Sequence, residues 1–466
     1  MTSADLRPLE RSLLIAACCA APVVLFLIVY VVLPNHGLMI DDYAWILQSR
    51  VRAIDDLLGL FTHSSGFYRP IVGVSFALNN AIAGSHVASY GIVNVAIALA
   101  CAAAIRSLGR ALGLARGAAL FMACVWLLNF QGIRTAVQWV SGRSELLLVL
   151  FLALSATALV RHRLVASVVW LSLALFTKEE AIVFPAILLV WMYLLRKDGR
   201  WTRTSLVTWT VGTAGVALLY LLARHAAGAI TPATAPEYYR FTFAPQTIWR
   251  HAYIYADQIL TFPLLVTGVA TLLLGRAFDA GIRTSKPASV ACALGALWVL
   301  GGYALTLFVP VRSDLYSCLP SVGVCLVAAV WCERAWQHAS TSRRTRALAA
   351  ILVACIVLSP VYYLRTRSRS RLMAFGAQAL NDIEQAVATL PSGSEVVIYD
   401  DPDARATNTP NLEDAFGSMF DEAYELVSGR RMQFRIEVPD DAGPESALRL
   451  QLVDGRVRAW DDGSTR

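Results

Sequence analysis

The chain is short of the residues from which soluble catalytic and nucleic-acid-binding domains are usually built. Only three of its 40 basic residues are lysines (Lys178, Lys197 and Lys286), so the net charge of +7 is carried almost wholly by arginine. Arginine spread over short loops is the ordinary orientation signal of a membrane protein, and nucleic-acid binding is not needed to explain it. The nine cysteines (Cys18, Cys19, Cys101, Cys124, Cys292, Cys318, Cys325, Cys332 and Cys355) all lie within or at the edges of apolar segments. None stands at metal-ligand spacing, which argues against a disulfide framework or a zinc site and leaves them as small core residues. There is no internal repeat, no Gly-rich phosphate loop and no nucleophile elbow. Charged residues make up 16% of the chain.

What is abundant is apolar sequence: 57% hydrophobic, with a mean hydropathy of +0.55. No soluble domain of this size shows such values, so the chain reads as a polytopic membrane protein. The first apolar run, Leu13 to Leu33, is too long for a signal-peptide core and no small-residue cleavage site follows it, which predicts a retained anchor. Apolar runs predict about eleven spans: roughly 12–34, 87–105, 117–130, 144–160, 164–177, 180–195, 204–223, 252–275, 288–309, 315–333 and 347–364. The shorter ones suit helices packed inside a bundle or broken near a cavity. Basic clusters follow alternate spans (Arg106, Arg110, Arg116; Arg161, Arg163; Arg196, Lys197, Arg200, Arg203; Arg276, Arg283, Lys286; Arg334, Arg343, Arg344, Arg346). The positive-inside rule makes these loops and the N-terminus cytoplasmic and puts the loop after the first span outside. The run Arg365, Arg367, Arg369, Arg371 weighs against placing the tail outside, though late charges orient less strongly than early ones.

That first loop carries adjacent carboxylates, Asp41 and Asp42. At a membrane surface a carboxylate can keep water on one side and face a lipid-borne substrate on the other, where a catalytic base for a lipid-linked reaction belongs. The alternative is a pair of solvated acids ending a helix. Residues 46–66 alternate apolar and charged positions and predict a helix lying in the interface. Tyr68-Arg69-Pro70 follows, with an arginine placed to pair with the aspartates or to hold a phosphate. Residues 71–84 are apolar but too short to span, and His86 and Asn94 fall eight apart on one helical face. A lone histidine there more often satisfies a hydrogen bond than binds a metal.

Further on, Arg143 and Glu145 stand at the mouth of a span and should face a water-filled cavity. Lys178, Glu179 and Glu180 between two apolar runs imply inward-facing, mutually paired charges. Tyr238 and Tyr239 read as part of an interfacial aromatic belt rather than a sugar-stacking platform, both of which need flat amphipathic rings, and Arg312 and Tyr316 occupy the last external turn. Topology thus brings four cations, Arg69, Arg143, Lys178 and Arg312, to the face that carries Asp41 and Asp42. Beyond about residue 372 the chain turns polar and predicts a small α/β module: helix 372–389, strand 395–399, helix 412–427 and strands 432–438, 447–452 and 457–460. Asp400, Asp401 and Asp403 read as a solvated acidic turn rather than a cation site.

In order and placement these pieces resemble the GT-C superfamily of membrane glycosyltransferases, and within it the protein O-mannosyltransferases and the transmembrane TPR-containing mannosyltransferases. The matching residues are Asp41 and Asp42, Tyr68-Arg69-Pro70, His86 with Asn94, Gly142 to Leu147, Lys178-Glu179, and Arg312 to Gly323 with Tyr316. TPR repeats are absent, and the Arg312 to Gly323 stretch is longer than the family's spacing. The resemblance covers 35–325 and implies an all-α, GT-C type bundle over 1–371 (35–86 the first extracytoplasmic loop). The tail matches no part of the family, and its pattern with the odd number of spans gives a small extracytoplasmic α/β domain over 372–466. It implies an inverting hexosyltransferase using a polyprenyl-phosphate sugar and an acceptor protein, lipid or glycan, with its active site outside a bacterial cytoplasmic membrane. Asp41 or Asp42 is then the base, Arg69, Arg143, Lys178 and Arg312 the phosphate ligands, and Tyr68, His86, Asn94, Glu145, Glu179 and Tyr316 their support. No metal or cofactor is expected, since arginines can neutralise the phosphate. A transporter or lipid-linked sugar flippase would instead place charges near the bilayer midplane in inverted repeats, and a non-catalytic assembly protein with the same fold is the third reading.

Overall fold

The computed structural model describes residues 8–32, 36–64, 66–84, 86–196, 201–231, 234–275, 286–400, 410–437, 448–453 and 455–460. Every apolar run of the sequence is helical, but the runs differ in length. Among the described residues, seven helical stretches are long and apolar enough to cross a membrane: Ser12–Val32, Val87–Ala111, Val140–Val160, Arg203–Ala226, Pro245–Leu273, Asp314–His338 and Thr341–Ala386. An eighth is the pair Arg116–Leu128 and Phe130–Gln138, bent by 63° where Asn129 leaves helical geometry at ψ 75°. The remaining three of the predicted runs form helices Leu164–Leu175, Phe184–Leu195 and Lys286–Tyr303, of 12, 12 and 18 residues. By length alone, then, fewer helices span than the apolar count suggests.

The core lies around Arg143–Val160, which is apolar on all sides and buried on nearly all of them, as expected of a central helix. Polar tips of buried tryptophans find backbone partners: Trp126 Nε1 donates to Cys318 O at 3.1 Å and Trp298 Nε1 to Leu319 O at 2.9 Å. Helices Lys286–Tyr303 and Cys318–His338 cross at two glycines. A Cβ at Gly295 would sit 2.7 Å from Gly323 O, and one at Gly323 would run into Gly295 O. Only a missing side chain permits that approach.

The polar tail is not joined by a linker. Helix Thr341–Ala386 runs unbroken for 46 residues from the last apolar run into the tail, so the expected boundary at 371/372 falls inside a helix. The expected helix 412–427 is two, Leu412–Phe416 and Phe420–Ser428, separated at Gly417, whose φ of +54° suits a residue without Cβ. Four strands follow the expected positions: β1 (Glu395–Tyr399), β2 (Gln433–Glu437), β3 (Leu448–Val453) and β4 (Arg456–Ala459), ordered β2-β1-β3-β4. β1 pairs in parallel with β2 and β3, and β3 pairs antiparallel with β4. β1, one of the two inner strands, is the most buried. Asp400 accepts from Leu412 N at 3.2 Å and so anchors a helix start; Asp401 and Asp403 lie outside the described residues.

The tail packs on the loop of the acid pair. Leu38, Tyr43 and Ile46 share a buried apolar cluster with Leu412, Phe416, Phe420 and Tyr424. Arg50 Nη2 reaches Leu426 O at 3.4 Å.

Candidate active site

The two aspartates are adjacent in sequence but differ in what they touch. Asp42, on the first turn of helix Asp42–Gln48, is fully buried. Its Oδ2 accepts from Met39 N at 3.0 Å, and its Oδ1 accepts from Ser141 N at 2.7 Å and from the Ser141 hydroxyl. It bolts the loop to the segment that opens the central helix. Asp41 is the N-cap residue of the same helix, yet its side chain makes no capping bond. Its Oδ1 is buried and has no hydrogen-bond partner among the described residues. The solvated-acid alternative is therefore not what the geometry shows.

Burial pushes both carboxyls above the usual carboxylate range. For Asp41, Ser141 and the positive charge of Arg69 pull the other way; for Asp42, the neighbouring Asp41 charge adds to the burial. A carboxyl in such a setting holds its proton longer than a free aspartate and is a stronger base when ionised.

Beside Asp41 lies a set of compensated charges. Arg69, just ahead of helix Pro70–Ala83, forks onto Glu179, with Nε to Oε2 at 3.0 Å and Nη2 to Oε1 at 2.5 Å, and its guanidinium lies 4.3 Å from the Phe67 ring centroid. Burial works against the Glu179 charge, but Arg69 outweighs it and holds the carboxyl down at about 2. Lys178 is buried between Glu145 at 2.5 Å and Glu180 at 2.7 Å, with its ammonium 5.1 Å from the Tyr316 ring. Glu145 Oε1 and Glu180 Oε2 are buried without partners. Of the three charges expected to pair with one another between two apolar runs, Lys178 and Glu180 do so, while Glu179 turns to Arg69 and Lys178 takes Glu145 as a second partner.

The expected phosphate ligands fare differently. Arg143 is fully buried and tied to the scaffold: Nε to Asn94 Oδ1 at 2.9 Å, Nη2 to Asn79 Oδ1 at 2.9 Å and Tyr90 O at 3.0 Å, Nη1 to Ser75 O at 3.2 Å. Asn94 in turn donates to Trp139 O and Val140 O, each at 3.1 Å. Arg143 and Asn94 are therefore a structural clamp on the start of the central helix. That corrects the phosphate-ligand expectation for Arg143, because the guanidinium has too few N–H groups left to hold an anion. Arg69 and Lys178 have glutamates already opposite their charge. Arg312 is exposed, near Tyr255.

His86 is exposed at the start of helix Val87–Ala111, while Asn94 is buried two turns on, so the two residues placed on one helical face lie in different surroundings. Tyr68 is buried and donates to Phe61 O at 2.9 Å, a structural bond. Sequence reasoning ranked Tyr239 as belt above sugar platform, yet its ring lies 5.3 Å from Phe67 and it sits within electrostatic reach of Arg69, Asp41 and Lys178. It belongs to the site rather than only to a lipid-facing belt. Among the described residues no group of His, Cys, Asp or Glu is arranged to hold a metal ion.

No family model matches the sequence, and no curated protein does. Among solved structures the chain is similar to the arabinofuranosyltransferase AftD from Mycobacteria, with TM-score 0.52 and 15% identity over 94% of this chain and 32% of that one. It is also similar to the Archaeoglobus fulgidus oligosaccharyltransferase tethered with an acceptor peptide, with TM-score 0.48 and 12% identity over 91% of this chain and 64% of that one. The chain spans about a third of the length of AftD. The likeness to AftD is one of fold: a mostly helical membrane bundle of GT-C type, here with a small four-stranded sheet at its C-terminal end.

Proposed function

From this fold, we propose that the chain is a glycosyltransferase that moves a sugar from a polyprenyl-phosphate donor to an acceptor hydroxyl at the extracytoplasmic face of a bacterial cytoplasmic membrane. The observation that carries the reading is Asp41, a half-buried carboxylate whose buried Oδ1 has no partner among the described residues, within electrostatic reach of Arg69 and Tyr239. Asp41 accepts the acceptor's hydroxyl proton as that oxygen bonds to the anomeric carbon, and the bond from that carbon to the phosphate oxygen breaks, leaving polyprenyl phosphate. A positioned carboxylate base is worth about 10²- to 10⁴-fold in such a step. Attack opposite the leaving phosphate inverts the anomeric centre.

Asp42 orients the base through Ser141 and the Met39 amide. Arg69, gripped by Glu179, supplies a fixed positive field beside Asp41 that opposes its burial and favours the ionised form. Lys178 holds Glu145 and Glu180 in place, and Tyr239 offers a flat amphipathic ring and a hydroxyl to the sugar. The lipid tail of the donor needs an apolar groove between helices, which a multi-pass bundle supplies.

The test is reconstitution in liposomes with a panel of polyprenyl-phosphate hexoses and pentoses, pentoses included because AftD is named for one, scoring release of polyprenyl phosphate and formation of glycosylated acceptor. Turnover on any donor supports the reading; none on the whole panel by folded protein contradicts it. Labelling a cysteine introduced at position 55 tests the side: reaction with an impermeant reagent in intact cells is expected, and reaction only after permeabilisation would overturn the orientation.

A further inference from the structure

A transferred sugar leaves behind a phosphate with full negative charge, and the cations around Asp41 are already matched by glutamates. The uncompensated positive charge is elsewhere. Arg134, on helix Phe130–Gln138, places Nη1 3.2 Å from Arg365 O and Nη2 3.6 Å from Asp314 Oδ2. Arg369 lies one turn beyond Arg365 on the same helix, within electrostatic reach of Arg134, Asp314 and Tyr30. Arg134 is thus only loosely paired with Asp314, whose carboxylate also accepts from Gln258 Nε2 at 2.7 Å.

The free valences of this cluster are mostly donors. Arg134 Nε, Arg369 Nη1 and the Tyr30 hydroxyl are buried and have no partner among the described residues. Tyr30 is 2% exposed, so its hydroxyl is an unpartnered polar group in a closed setting. Gln138, one turn from Arg134 on the same helical face, donates to Thr366 O at 3.2 Å and fixes this face against helix Thr341–Ala386. Two like charges brought together cost free energy unless an anion joins them. Arginine's planar fork matches a tetrahedral phosphate oxygen for oxygen. The cluster lies just past Leu364, where the last apolar run ends, and the exposed Arg365 and Arg367 add positive field at the same level.

We propose that Arg134 and Arg369, with the Tyr30 hydroxyl, form a seat for a phosphomonoester carried on a lipid. The seat stands on this geometry alone; identifying its occupant with the phosphate of the sugar donor rests on the glycosyl-transfer reading.

The experiment measures binding of undecaprenyl phosphate, phosphatidic acid and undecaprenol to the full-length chain in detergent by native mass spectrometry. Undecaprenyl phosphate should bind and undecaprenol should not. R134Q/R369Q should bind the phosphate lipid on the order of 100-fold more weakly, as expected when a charge-assisted pair of contacts is lost. R371Q, an exposed arginine on the same helix, should bind like the parent. Should the double variant fail to fold, R369Q alone serves, because Arg369 Nη1 has no partner to lose, and R369K should recover part of the affinity. Tight binding of phosphatidic acid with the same arginine dependence supports the seat and assigns it to a bilayer lipid. Undiminished binding by folded R134Q/R369Q or R369Q, equal binding of undecaprenol, or an equal loss in R371Q would overturn the proposal. A chain that binds undecaprenyl phosphate through these arginines but transfers no sugar would leave the seat standing and sink only the transfer reading.

Discussion

The backbone N–H of Ile40 donates to the carbonyl of Ala415, 2.8 Å away, while Ile40 itself holds a φ of +51°. A β-branched residue in that region carries strain of about 1–3 kcal/mol and persists only where its surroundings over-determine it. The bond comes from the C-terminal module, 375 residues further along the chain by number, and the next residue is Asp41. The tail therefore aims the carboxylate, and its apolar contacts with the loop are part of the site.

A first prediction follows for Phe416. It is fully buried, with its ring centroid 5.8 Å from Tyr43 and 4.4 Å from Phe420. Phe416→Ala should destabilise the tail by about 3–5 kcal/mol and depress sugar transfer far from the reacting atoms, while Phe416→Leu should do less of both. Thermal unfolding followed with a transfer assay checks it. Full transfer by a variant whose tail has melted would show that the tail does not position Asp41.

The acid pair predicts a pH dependence. Burial raises both carboxyls above the ordinary aspartate value of about 4, and a base works only when ionised. Transfer should therefore rise with pH through a midpoint well above about 4 and fall away as the carboxylate is protonated. Stability runs the opposite way: the folded chain binds these protons more tightly than the unfolded one, so stability decreases as pH rises from the unfolded value to the raised folded value and is flat beyond it. A kcat/KM profile and melting temperatures across that window test both signs. In Asp41→Asn the fall in stability should shrink.

Arg143 gives a stability prediction with no catalytic part. Removing it leaves Asn94, Asn79 and two backbone carbonyls without their donor, so Arg143→Ala should cost about 3–5 kcal/mol. Arg143→Lys should not restore it, because a single ammonium cannot reach acceptors spread around a planar fork. Expression level and unfolding midpoint report the effect; parental stability in Arg143→Ala would return this arginine to the set of phosphate candidates.

The sequence was informative where function needs local pattern. Apolar runs marked the long helices of the bundle but not Phe130–Gln138, which lies beyond the run 117–130. The helix expected over 46–66 is broken between Asp42–Gln48 and Ile54–Thr62, with Ile54, Leu58 and Phe61 facing outward; the tail strands fell within a residue or so of their places. It was silent where residues meet across the chain. That Arg143 is a clamp while Arg69 is a charge partner of Glu179 depends on Asn94, Asn79 and Glu179 arriving from other helices, and each arginine reads alike in isolation. Arg134 and Arg369 had weaker signals still. The i, i+4 spacing of Arg134 and Gln138 hints at one polar face inside an apolar segment, but its partner face on the last helix follows only from packing.

The most direct measurement is sugar transfer by Asp41→Asn against Asp42→Asn, each folded and reconstituted with a polyprenyl-phosphate sugar that the parent accepts. Asp41→Asn keeps size and removes the proton-accepting charge, so turnover should drop by a factor on the order of 100 to 10000 with donor binding and melting temperature close to parental. Asp42→Asn should lose stability as well as rate, because its carboxylate is bonded to Met39 and Ser141. Near-parental turnover by folded Asp41→Asn would contradict carboxylate base catalysis at this loop and with it the central claim.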